Sequence, residues 1–186
     1  MSDKIKNFFR TYKWHILTIA LMVIIGTSMH FVVNISSSET YHKIIAPIFP
    51  ISECSFEHMK MFWYPFLVAG IVWSIVKRDK GYLGGFIIGG FFAMMMGVAL
   101  FAFYQSITIE LYLILDIIEY MSAMIIMAML SYHLSSLSWV KKGFYVWIIL
   151  ALIITAGIVY LAYNPGSGYL FKEAEELTGH EHTHLH

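Results

Sequence analysis

The sequence predicts an all-α integral membrane protein of five transmembrane helices, with its N-terminus in and its C-terminus out. Three observations carry that prediction. Of 186 residues, 59% are hydrophobic and only 13% charged, with mean hydropathy +0.69, whereas a soluble domain carries about 25% charged residues. The apolar residues fall into five runs of about 20, enough at about 1.5 Å per helical residue to cross a hydrocarbon core of about 30 Å. Lysine and arginine also collect on alternate sides of those runs. The formal net charge of zero leaves no basic field for nucleic acid. The one cysteine, Cys54, excludes an internal disulfide.

Residues 1–13, with Lys4, Lys6, Arg10 and Lys13, read as a short cytoplasmic interfacial segment. The transmembrane domain follows over 14–163, and its first span is Trp14 to Asn34. That run has no small-residue cleavage site and exceeds a signal-peptide core, so it is expected to be retained. Residues 35–51 form a loop containing three serines, Pro47 and Pro50, with room for a short interfacial helix around Ile44. Pro50 and Ser52 then read as a stop and an N-cap, which places the start of the second span at Glu53. This span runs to Val76 and contains Pro65, a residue expected to kink it. After Lys77-Arg78-Asp79-Lys80 comes the third span, Tyr82 to Phe103, with Gly84, Gly85, Gly89, Gly90 and Gly97. Small residues at such spacing let helices approach closely in lipid; they also offer a face for a homodimer. A polar break at Tyr104 to Thr108 precedes the fourth span, Ile109 to His133, and the fifth covers Gly143 to Tyr163. Residues 164–186 form a polar tail ending in His180, His182, His184 and His186.

The orientation follows from charge. With the N-terminus inside, that side holds Lys4, Lys6, Arg10, Lys13, Lys77, Arg78, Lys80, Lys141 and Lys142. The opposite side holds Lys43, Lys60 and Lys172. Nine against three is a positive-inside bias, and it puts the histidine tail outside.

The same topology gathers the polar residues of the spans in the outer half. His30 ends span 1, while Glu53, Glu57 and His58 begin span 2, with Glu53, Glu57 and Tyr64 near one helical face. Tyr104 closes span 3, and Asp116 and Glu119 lie in the early turns of span 4. Ionisable residues inside a membrane mark functional sites by default. Carboxylates mixed with imidazoles suit a divalent metal, zinc first, with nickel, manganese or iron as alternatives. The expected ligands are His30, Glu53, Glu57, His58 and Asp116, with Glu57 or Glu53 as general base. Tyr104, Glu119, Tyr64, His182 and His184 are secondary candidates. The spacing Glu-x-x-x-Glu-His is not the His-Glu-x-x-His of zinc proteases. The bland alternative is a solvated helix start whose charged groups snorkel to water. Twelve methionines offer soft copper ligands, but methionine also fills gaps in apolar packing.

The runs Met29-His30-Phe31, Ser52-Glu53-Cys54-Ser55-Phe56-Glu57-His58-Met59-Lys60 and Phe62-Trp63-Tyr64-Pro65 resemble a family of small bacterial multi-pass membrane proteins. That family is a domain of unknown function. Its signature is approximately His-Phe, then Asn-Glu-Ser-x-Trp-Glu-His-x-Lys, then Phe-x-Pro. Ser52, Cys54 and Phe56 depart from it, while Glu53, Glu57 and His58 match. The resemblance implies a fold, a bacterial cytoplasmic membrane and a site, but no activity.

Three functions fit these residues. One is metal-dependent hydrolysis of a lipid-like or envelope substrate in an outward pocket. Another is transport of a divalent cation or small solute. The third is a non-catalytic accessory subunit whose polar cluster serves packing. Membrane lipids are expected partners in each.

Overall fold

The computed structural model describes residues 3–35, 38–52, 54–107 and 113–171, with backbone alone for 3–11, 33, 34, 102, 104–107, 113–116 and 169. No strand occurs among the described residues. In chain order the helices are α1 (Asp3–Phe31), α2 (Glu39–Ile45), α3 (Ser55–Lys77), α4 (Gly81–Ile107), α5 (Leu113–Ser135), α6 (Ser138–Lys142) and α7 (Phe144–Tyr163). Short 3-10 turns follow α1 at Val32–Ile35 and α7 at Tyr169–Phe171. Among the described residues, five helices are long and apolar enough to cross a membrane: Tyr12–Phe31 within α1, all of α3, Gly81–Phe101 within α4, Ile117–Ser135 within α5, and α7. The expected short helix around Ile44 is α2.

Helix α4 is the central post. Its spanning window is 61% buried, against 11% for α7 on the perimeter. The glycines explain how neighbours come so near. A Cβ on Gly90 would lie 2.8 Å from Phe66 Cβ, and one on Gly97 2.5 Å from the Phe62 ring. On the other side, a Cβ on Gly85 would meet Ser131 O at 2.5 Å and Ser135 N at 2.8 Å. So α3 and α5 both pack on α4 through positions that admit no side chain. Ser131 and Ser135 are buried, and their hydroxyls donate to Met127 O (2.8 Å) and Ser131 O (2.7 Å) within α5. That satisfies both groups without a partner helix. Trp63, Phe66, Phe86, Ile87 and Met124 fill the middle of the bundle, all fully or almost fully buried. Peripheral α7 is tied in by Trp63 Nε1, which donates to Thr155 Oγ1 at 3.0 Å.

The turn from α3 to α4 closes with Arg78 in the left-handed region at φ 52. Asp79 N donates to Ser74 O there, and Lys141 Nζ donates to Asp79 Oδ2 at 2.6 Å. That ammonium holds the Asp79 carboxyl below the usual carboxylate range, helped by the Gly81 N–H, while partial burial opposes the shift.

Two element boundaries differ from those read in the sequence. Helix α3 starts at Ser55, after Cys54 in an extended conformation (φ −78, ψ 153), rather than at Glu53 after a Ser52 cap. The Ser52 hydroxyl donates to Cys54 Sγ at 3.3 Å, so it is not spent on a helix N–H. At its far end α4 continues to Ile107, through the expected break at Tyr104. Backbone hydrogen bonding dominates over polarity there, because a helix satisfies its own amides.

Candidate functional site

The first turns of α3 hold two polar constructions side by side. One is a clamp. Glu57, Lys60 and Tyr64 share one face of α3 at i, i+3 and i+7, and all three reach back to the segment before the helix. Lys60 Nζ donates to both carboxylate oxygens of Glu57 at 2.7 Å and to Ala46 O at 2.6 Å. Glu57 Oε2 also accepts from Ile51 N at 2.7 Å, and Tyr64 OH donates to Pro47 O at 2.5 Å. Lys60 is fully buried and Glu57 nearly so. A buried ion pair is tolerable only when further hydrogen bonds complete it, and here the loop carbonyls and an amide do so. The ammonium also lies 5.3 Å from the Phe56 ring centre.

The other is an imidazole pair. His30 at the end of α1 and His58 in the first turn of α3 place their ring centres 5.5 Å apart. Phe101 of α4 also approaches His58, with ring centres 5.9 Å apart. His58 Nδ1 is 3.0 Å from Cys54 O. A carbonyl only accepts, so Nδ1 is the donor in this contact. This is the arrangement by which a metal-ligating histidine is oriented through its second nitrogen. Two imidazoles on one tetrahedral ion, with bonds of about 2.0–2.1 Å, put their ring centres roughly 5 Å apart. The observed spacing is close to that.

Helix register extends the pair to α5. Tyr120 OH donates to Met61 O at 3.4 Å, and a Cβ on Gly26 would strike the same hydroxyl. His30 is one turn beyond Gly26, His58 is three residues before Met61, and Asp116 is one turn before Tyr120. All three steps lead toward the same end of the bundle, so Asp116 sits on the Tyr120 face of α5 near the level of the imidazoles. Glu119 is half-buried on α5. Tyr104 occupies the last turns of α4. Glu53 and the tail residues His182 and His184 lie outside the described residues. Among the described residues no three His, Cys, Asp or Glu side chains come together as a metal-ligating group.

The sequence shows Lys60 only as a positive charge, and its role as a buried partner emerges from the fold. A signal for it exists: a lysine three residues after a glutamate, inside a membrane span, has to find a partner. At the opposite end, His15 and Tyr132 also meet, with ring centres 4.1 Å apart beside Trp73.

The fold, with five apolar spanning helices and a polar site at one end, defines a multi-pass membrane protein. A model of DUF6512, a family of unknown function, matches residues 3–181, and the chain belongs to that family. No curated protein and no solved structure matches the chain.

Proposed function

We propose that this protein binds a divalent metal, zinc first, between His30 and His58, with Asp116 as third ligand. The reaction proposed is hydrolysis of a lipid-like or envelope substrate at that end of the bundle. The observation that carries the reading is the juxtaposition of the His30 and His58 rings, with centres 5.5 Å apart and the His58 ring held through Nδ1 at Cys54 O. Three protein ligands leave a coordination position open, as catalytic rather than structural zinc requires. A divalent ion supplies Lewis acidity and a water of lowered pKa. The Phe101 ring beside His58 adds an apolar neighbour to the site. Glu57 is engaged by Lys60, so its part is to fix the loop before α3 and thereby the position of His58. Glu53 is the proposed proton acceptor, on sequence grounds. The positive-inside bias puts this end away from the cytoplasm.

Reaction at the surface is favoured over transport by what lies below the imidazoles. The Phe62 ring packs on Tyr120 at 5.1 Å, and Trp63 and Phe66 are completely buried beneath them. A permeating ion needs polar groups along its path.

The test is metal content by plasma mass spectrometry on full-length protein in which His180, His182, His184 and His186 are changed to alanine. About one ion per chain is expected, lost in His30→Ala and His58→Ala and retained in His133→Ala. A folded, metal-free parent overturns the proposal.

A further inference from the structure

We propose a second, independent site: a groove between α1 and α3 that holds one acyl chain of an anionic phospholipid, with its headgroup at Lys13 and Lys77. The groove has a volume of about 390 Å³. Leu21 and Ile25 of α1 and Val68 and Val72 of α3 wall it, and Trp14 and Lys77 stand at its mouth. Its one wall hydroxyl is already satisfied. Thr18 Oγ1 donates to Trp14 O at 2.8 Å and accepts from Trp73 Nε1 at 3.0 Å. Below its mouth the remaining wall is overwhelmingly apolar, which suits a hydrocarbon occupant.

Length and charge identify the occupant. From Trp14 to Ile25 the helix rises roughly 16 Å, about half of a hydrocarbon core of about 30 Å. The groove therefore accommodates the chains of a single leaflet. Its mouth lies at the end of the bundle where the described side chains include Lys13, Lys77, Arg78, Lys80, Lys141 and Lys142. The carboxylate of Asp79 is there too, but it is paired to Lys141. Lys77 Nζ lies 5.2 Å from the Trp73 ring centre and Lys13 Nζ 5.3 Å from that of Trp14. Two ammonium groups on aromatic supports flank the mouth, a setting for an anionic phosphodiester at headgroup depth. A zwitterionic headgroup would bring its own cation to the same place.

The experiment is native mass spectrometry of the full chain released from nanodiscs of equal phosphatidylglycerol and phosphatidylcholine. One retained phosphatidylglycerol per chain is expected. Val72→Trp fills the groove from an exposed position and should reduce retention at least ten-fold. Val146→Trp, equally bulky on the lipid-facing side of α7, should leave it unchanged. Lys13→Gln and Lys77→Gln should each weaken the preference over phosphatidylcholine by about five-fold, which is about 1 kcal/mol per lysine; Lys142→Gln should not. Thermal unfolding checks that each variant folds. Equal retention of the two lipids overturns the proposal. So does full retention in folded Val72→Trp, or a dimer that Val72→Trp dissociates, which would make a second copy the occupant.

Discussion

At the residue scale, Lys60 is the most demanding position in the chain, because an ammonium with no exposed surface has to be neutralised on all sides. Lys60→Met leaves Glu57 buried without its counter-charge, and a loss of about 3–5 kcal/mol is expected. Glu57→Met combined with Lys60→Met should cost less than Lys60→Met alone, since no charge is then stranded. Denaturant unfolding of Glu57→Met, Lys60→Met and the double variant in detergent measures the difference, and a double variant as damaged as the sum of the singles would mean that the two residues act separately. The two halves of this clamp are unequally legible in the sequence. Glu57 and Lys60 stand three apart, and that spacing alone licenses a pair. Their remaining partners, Ala46 O, Phe49 O and Ile51 N, are backbone atoms. Backbone groups have no residue signature, so the fold-back of residues 46–51 onto α3 stays hidden until the structure shows it.

At the scale of elements, the glycines of α4 divide into those that must stay and those that need not, and α7 supplies the contrast. Gly85 faces backbone atoms of α5, which have no rotamer to move. Gly85→Ala should cost about 1–3 kcal/mol through overpacking. A Cβ added to Gly157 on α7 would have nothing within 4 Å of it. Gly157→Ala should therefore be neutral or gain up to about 1 kcal/mol from helix propensity. Thermal unfolding of the pair in the same detergent separates packing from propensity, and equal melting temperatures would remove the distinction. The spans themselves are plain in the sequence, because hydropathy over about 20 residues reports length directly. Their ends are less so. Cys54 rather than Ser52 precedes α3, and α4 runs on past Tyr104, because the last turn of a helix is decided by hydrogen bonds to neighbouring segments.

The whole molecule has two unlike ends, one rich in cations and one holding the His30–His58 pair and the clamp. That polarity is readable from parity: helices that alternate in direction bring the end of α1 to the start of α3, so His30 and His58 have to share a level. The α1–α3 groove is not readable, since it depends on how two particular helix faces fail to fill the space between them. The cation-rich end is cross-linked by Asp79 and Lys141, whose side chains are 32% and 43% exposed. Asp79 has a folded pKa below its unfolded one, so its contribution is present above the ordinary carboxylate range and lost as pH falls through the depressed value. Solvent screening limits the pair to about 0.5 kcal/mol. Asp79→Asn should lower stability by that amount at pH 7, and the gap to the parent should narrow from about pH 4 downwards and close only at a pH below the depressed Asp79 value. Melting curves of both proteins across that pH range test this, and a gap that persists in acid would assign the effect to the turn's hydrogen bonds instead.

The clamp also bears on how the protein is made. Its charged partners lie within one helical turn, and the carbonyls that complete it come from the segment synthesised just before. Everything from Ala46 to Tyr64 leaves the ribosome ahead of α4. The insertion machinery thus receives a segment whose lysine and glutamate can already have neutralised each other, instead of two separate charges whose individual cost would rise toward about 2.5–3.5 kcal/mol at mid-bilayer. Membrane integration of α3 need not wait for the rest of the bundle.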